Sequence, residues 1–165
     1  MIFDNSGVRR QDRLLDEQRA RELLCSAEWG VLSMCDAQGE PYGLPVNYVW
    51  DGKRSLYIHC APEGRKLSCI DHEARVSFCV VGQVNLMPSK FTTEYESIVL
   101  KGSAVRHLSE EEKYHALELL LAKLSPDDKE VGMKYAAASF HRVEIIRIDI
   151  SSWSGKRKNM PAAKG

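Results

Sequence analysis

The 165-residue sequence has no apolar run long enough to span a membrane. Its N-terminus carries Arg9, Arg10, Asp12 and Arg13 instead of an apolar signal region, so the cytoplasm is the expected compartment, with no membrane partner. Net charge is missing too. Twenty-three basic residues balance 23 acidic ones, and without a broad basic field no nucleic-acid partner is expected. The five cysteines (Cys25, Cys35, Cys60, Cys69, Cys79) are odd in number and contain no CxxC pair, which argues against a disulfide framework and against a metal site. No GxGxxG, GxxxxGK[ST], HExxH or GxSxG occurs, leaving Rossmann, P-loop, zinc-protease and serine-hydrolase readings without support.

What is present fits one domain over residues 1–165, with an N-terminal arm to about residue 13 and a basic tail from about residue 154. Leu14 to Ala27 has helical periodicity, with Leu15, Ala20, Leu23 and Leu24 on one side. Trp29 to Asp36 and Pro41 to Trp50 read as a hairpin around Asp36-Ala-Gln-Gly39. Tyr42, Leu44, Val46, Tyr48 and Trp50 share one face of its return strand. Pro41 and Pro45 fall on the other, as an edge strand or bulge allows. Strands follow at Leu56 to Ala61, Val76 to Val81, Ser97 to Arg106 and Val143 to Ile150, with Gly102 as a bulge and Gly82 to Lys90 as a loop. Ser109 with Glu112 forms a capping box that opens a helix buried through Leu117, Leu120, Leu121 and Leu124, and a further helical stretch reaches Ala138. The pattern is mainly β with flanking helices: a six-stranded antiparallel barrel.

The most informative segment runs from Leu56 to Val81. A strand stops at Pro62, and Glu63-Gly64-Arg65-Lys66 opens an amphipathic helix. Adjacent cations at a helix mouth suit a phosphate, because N–H donors and partial positive charge converge there. The plain alternative is a solvated helix start partly compensated by Glu63. His59 shares the face of Ser55 and Tyr57. Such a residue is packed or superficial unless a ligand sits nearby, where an imidazole can donate a hydrogen bond or move a proton. Asn47 and Tyr48 either pair across strands or meet the polar edge of a heterocycle such as flavin. Trp29, Trp50 and Trp153 read as core or interface residues, with Trp153 also able to cover a planar ligand.

Four segments, EWGVLSMCDAQGEPYGLPVNYVWDGKRSLYIHCAPEGRKL, ARVSFCVVG, KFTTEYESIVLKGSA and SGK, resemble in order the pyridoxamine 5′-phosphate oxidase-like flavin-binding split barrels, nearest their nitroimidazole-resistance (Nim) branch. The likeness runs from about Arg9 to Lys156. It implies a six-stranded split-barrel homodimer with FMN in each of two clefts at the subunit interface. It also implies that Arg65 and Lys66, after Gly64, hold the FMN phosphate. Val46, Asn47 and Tyr48 would line the isoalloxazine, and His59, Cys60 and Ala61 would run beneath it. Thr93 to Ser97, with Trp153, would approach from the partner subunit. His59 matches a histidine of the Nim pattern suited to substrate contact or proton delivery, and is the candidate catalytic residue. Gly64-Arg65-Lys66 departs from the common Gly-His-Lys of that branch, which weakens nitroimidazole as the specific substrate. Residues that bind vitamin B6 are not recognisable, so oxidation of pyridoxamine phosphate is not expected. The function implied is an FMN-dependent oxidoreductase reducing a small aromatic or nitro-aromatic compound, with a reduced nicotinamide, NAD(P)H, as donor. The alternatives are a flavin carrier or redox sensor without turnover, and a cleft holding haem or deazaflavin.

Overall fold

A computed structural model describes residues 1–158. The chain runs β1 (Ile2–Phe3), α1 (Glu17–Ser26), β2 (Trp29–Cys35), β3 (Pro41–Asn47), β4 (Val49–Trp50), β5 (Ser55–Cys60), α2 (Arg65–His72), β6 (Arg75–Met87), β7 (Thr92–Val105), α3 (Glu110–Leu124), α4 (Lys129–Ala138) and β8 (Glu144–Lys158). The sheet order is β3-β2-β6-β7-β8-β5-β4, antiparallel at every step, with β1 alongside β8 in parallel. The two ends of that path, β3 and β4, are separated in the chain by Tyr48 alone. The polypeptide itself therefore closes the sheet into a split barrel. The sheet has eight strands where the sequence pattern gives six, six of them long, and the four helices flank them.

Alternation fixes which side chains go inside. Leu56, Ile58, Ile146 and Ile148 enter the barrel core with Leu32, Phe78, Ile98 and Leu100. Tyr57 and Ile145 point outward and are buried instead by Ala116 and Leu117 of α3 and Ala136 of α4. Each fully buried Leu, Ile or Phe contributes about 1.5–3 kcal/mol relative to exposure. Tyr42, Leu44, Val46, Tyr48 and Trp50 all pack toward the barrel core, as their spacing predicts.

Several boundaries differ from the sequence pattern: the return strand of the hairpin breaks at Tyr48 into β3 and β4, and β7 begins at Thr92, ahead of Ser97. The first helix starts at Glu17, where the Asp16 side chain accepts the Arg19 N–H at 2.8 Å; Leu14 and Leu15 precede it, with the Leu15 N–H bonded to the Gly155 carbonyl. Gly82 to Lys90 is not a loop. β6 continues to Met87 against β7, absorbing Gly82 in a register shift between Val81 and Val84. Gly82 fits because a Cβ there would come within 2.6 Å of Glu96 Cγ and 2.9 Å of Leu23. The basic tail does not begin at residue 154. Lys156, Arg157 and Lys158 extend β8, pairing with Ser97, Glu96 and Tyr95 of β7, while Lys164 lies outside the described residues.

Candidate functional site

β5 ends at Cys60 and Pro62 lacks the N–H needed to prolong the ladder. Gly64 then turns the chain with φ 132°, a conformation that favours glycine, and its missing Cβ leaves open space. It caps α2 without any side-chain hydrogen bond, and no acidic residue sits in the first turn. The helix entrance thus keeps its N–H donors and positive end uncompensated from within, with Arg65 and Lys66 beside them. An anion fits this cradle.

The two cations have different neighbours. Arg65 donates from Nη2 to Asp36 Oδ2 at 3.0 Å and lies 4.4 Å from the Tyr42 ring centroid. The Lys66 charge acts on the end of β5. There the Cys60 thiol is pushed up by burial, against the opposing pull of Lys66. His59 is lowered first by burial and second by the Lys66 charge, so its imidazole is neutral at pH 7. The ring is solvent-reachable yet crowded by its neighbours. It borders an apolar cavity of about 230 Å³ shared with Leu117, Leu120, Leu124, Tyr135 and Ala136 of α3 and α4.

Val46 is half-buried against the barrel core opposite Gly30. Exposed Asn47 donates from Nδ2 to the Glu28 carbonyl at 3.0 Å, tying β3 to the start of β2. Ala61 is exposed between β5 and α2.

Of the residues the resemblance implies at the cofactor, Tyr48 and Trp153 lie in the core, as the core reading of Trp153 has it. Tyr48 is wholly buried: its O–H donates to the Leu24 carbonyl at 2.7 Å, its ring meets Phe78 edge-on at 5.0 Å, and burial raises its pKa. Trp153 is 2% exposed, 5.0 Å from Phe3 and beneath Arg21, so it packs the core instead of covering a cleft. Tyr48, between β3 and β4, and Trp153 of β8 both point inward, where closure of the barrel takes aromatic bulk.

Ser97 is half-exposed in the β7 ladder, opposite Val81 and Lys156. Lys156 lies twelve positions along β8 from Glu144, the partner of Cys60. One chain therefore places Ser97 and Cys60 against opposite ends of the same strand. Asp36 and Tyr42 escaped the sequence reading as site residues. Asp36 had a sufficient role as a turn former, and its contact with Arg65 spans 29 positions.

The family model described as pyridoxamine 5′-phosphate oxidase matches residues 16–157, and the chain belongs to that family. Solved structures share the fold. One is a candidate 5-nitroimidazole antibiotic resistance protein from Bacteroides thetaiotaomicron: 21% identity, 88% of this chain, 86% of that one, TM-score 0.71. A FAD-binding protein from Mesorhizobium loti has 23% identity, covers 89% and 98%, and gives a TM-score of 0.61. The flavocytochrome Anf3 from Azotobacter vinelandii has 19% identity, covers 91% and 71%, and gives 0.72. No curated protein matches the sequence.

Proposed function

We propose that this protein is an FMN-binding oxidoreductase acting as a homodimer, reducing a small aromatic or nitro-aromatic compound with electrons from a reduced nicotinamide. The observation that carries the reading is the uncapped entrance of α2, with Gly64, Arg65 and Lys66 two to four residues after Pro62 and His59 just before it. FMN, when bound, supplies the electron-accepting and electron-donating chemistry. Gly64 and the first N–H groups of α2 receive the phosphate, and Lys66 neutralises it. The backbone of Val46 and Asn47 flanks the ring system, with His59, Cys60 and Ala61 on the adjoining strand end. His59 contacts the substrate or delivers a proton to it from its ring nitrogen, relaying one from solvent as the product forms. The mostly apolar lining of the cavity beside it favours an uncharged ring.

A flavin carrier without turnover is the second reading, favoured by one fact: among the described residues, His59 is the only acid–base side chain of the histidine or carboxylate kind lining that cavity. An absorption spectrum of the purified protein, before and after adding FMN or FAD and removing the excess, tests the cofactor. About one FMN retained per chain is the expected result. A colourless protein that ignores FMN overturns it, preference for FAD corrects the cofactor, and a haem spectrum moves the role of His59 to axial ligand. Steady oxidation of a reduced nicotinamide with a nitro-aromatic acceptor then separates enzyme from carrier.

A further inference from the structure

A phosphate held by both Arg65 and Lys66 needs both charges free to turn to it, and in this structure Arg65 is already engaged. It reaches the β2–β3 hairpin, where Asp36 Oδ2 accepts from it at 3.0 Å and the Tyr42 face carries its guanidinium at 4.4 Å. Asp36 cannot follow Arg65 away from this place. Its other oxygen, Oδ1, accepts from the backbone N–H groups of Gln38 and Glu40, each at 3.0 Å, and so builds the turn itself. One carboxylate oxygen is thus fixed by the hairpin and the second is aimed at Arg65. Tyr42 is a platform on which the guanidinium can slide while keeping its cation–π contact. Because the Arg65 side chain is 56% exposed, little steric work is needed to move it.

Resting on the phosphate reading of Gly64 to Lys66, we infer that Asp36 sets the affinity of this site for phosphate-bearing ligands by competing for Arg65. Asp36 is a positioning residue: it touches no ligand and acts by holding the guanidinium at the hairpin. A phosphate dianion and this carboxylate are rivals for one cation, and the ligand must displace an ion pair before it gains a charge-assisted contact. The cost is modest, since an exposed pair is weak. It falls only on ligands that carry the phosphate.

Asp36→Asn is the discriminating variant. Its amide oxygen still accepts from Gln38 and Glu40, while its NH2 group no longer attracts Arg65. Titrations of FMN and of riboflavin, followed by flavin fluorescence at low salt, read the effect on the full-length protein. FMN should bind about two- to fivefold tighter, the worth of one exposed ion pair. Riboflavin should be unchanged, and the gain should shrink at high salt. An unchanged or weakened FMN affinity overturns the inference, as does an equal gain for riboflavin. In an Arg65→Ala background the same substitution should do nothing; a persisting gain would mean a general field of Asp36 and would also overturn it. Asp36→Ser, whose hydroxyl can keep the turn, repeats the test if the asparagine variant does not fold. The underlying reading has its own control. If Arg65→Ala with Lys66→Ala leaves FMN affinity untouched, the phosphate seat fails whatever Asp36 does. If that pair weakens FMN about a hundredfold while Asp36→Asn changes nothing, only the competition fails.

Discussion

Arg19 of α1 grips Glu96 of β7 with two hydrogen bonds, Nε to Oε2 at 3.0 Å and Nη2 to Oε1 at 2.6 Å. The pair is lopsided: the Glu96 side chain is 4% exposed and that of Arg19 is 38%. Removing the arginine strands a buried carboxylate, whereas removing the carboxylate leaves an arginine that water can reach. Arg19→Ala should therefore cost about 3 kcal/mol and Glu96→Gln about 1 kcal/mol, measured by urea unfolding. Equal costs would contradict this asymmetry. The pair fixes α1 against β7 one residue before Ser97.

A second ion is held in the same region by different forces. Lys123 of α3 donates from Nζ to the Ala27 carbonyl at 2.6 Å and lies 4.0 Å from the Tyr48 ring centroid. Burial nevertheless pushes its pKa down to about 8, although the carbonyl and the ring both favour the ammonium. The folded chain then binds fewer protons than the unfolded chain between about pH 8 and the ordinary lysine value near 10.4, so this group's contribution to stability rises with pH across that window. Lys123→Met should lose that rise. Unfolding free energies of both proteins at several pH values check it, because cysteine and tyrosine ionisations common to both cancel in the difference. Parallel curves would show that Lys123 is not shifted.

The fold was legible where local rules and tertiary demands agree. Period-two alternation at Leu56 to Cys60 and at Glu144 to Ile150 marked inside and outside correctly, because the barrel buries one face and the helices the other. Pro41 and Pro45 sit on β3, an end strand of the sheet, and the register of β7 against β8 shifts between Lys101 and Gly102 as expected, with a Cβ at Gly102 set to collide with the Asp149 carbonyl. Half of the capping box survives: Ser109 Oγ accepts the Glu112 N–H at 3.2 Å, but the Glu112 carboxylate is taken by Tyr57 and Arg147 from other strands. What stayed hidden depends on long-range pairing. Gly82 and the basic run after Ser154 look like loop and tail until the extended β6–β7–β8 ladder claims them. Tyr48 reads equally as a flavin-edge residue or a cross-strand partner, and Trp153 as core or as a ligand cover, until closure places both in the core. At the site, the adjacency of His59, Cys60, Arg65 and Lys66 was readable because it is local. The pull of Asp36 on Arg65 was not.

His59 should act in turnover and not in cofactor retention. Its pKa is lowered by burial and then by Lys66, so it is neutral at pH 7 and takes up a proton only in more acidic solution. His59→Ala should keep flavin affinity within about twofold while lowering kcat at least tenfold, within the range for a lost general acid–base group. The acid limb of the wild-type pH profile should disappear with it. Lys66→Ala should move that limb to higher pH, since removing a neighbouring positive charge eases protonation of the imidazole. Equal turnover by His59→Ala would leave the residue a structural role only.

The last expectation concerns the second chain. Val84 and Leu86 lie on one face of the β6 arm at 55% and 71% exposure, and Phe91 at its tip is 97% exposed with φ 48°. Water-facing apolar side chains grouped on this hairpin are the surface a homodimer would cover. A homodimer through this arm also answers the geometry of Ser97, which a single chain keeps at the far end of β8 from Cys60. Sedimentation should give twice the 18.6 kDa chain mass. Val84→Asp with Leu86→Asp should yield monomers, because each charge opposes burial in an apolar interface. If the cleft is shared, those monomers should bind FMN at least tenfold more weakly, with Arg65 and Lys66 intact. A wild-type monomer that binds FMN tightly would refute the shared cleft and leave the α2 entrance as a site complete within one chain.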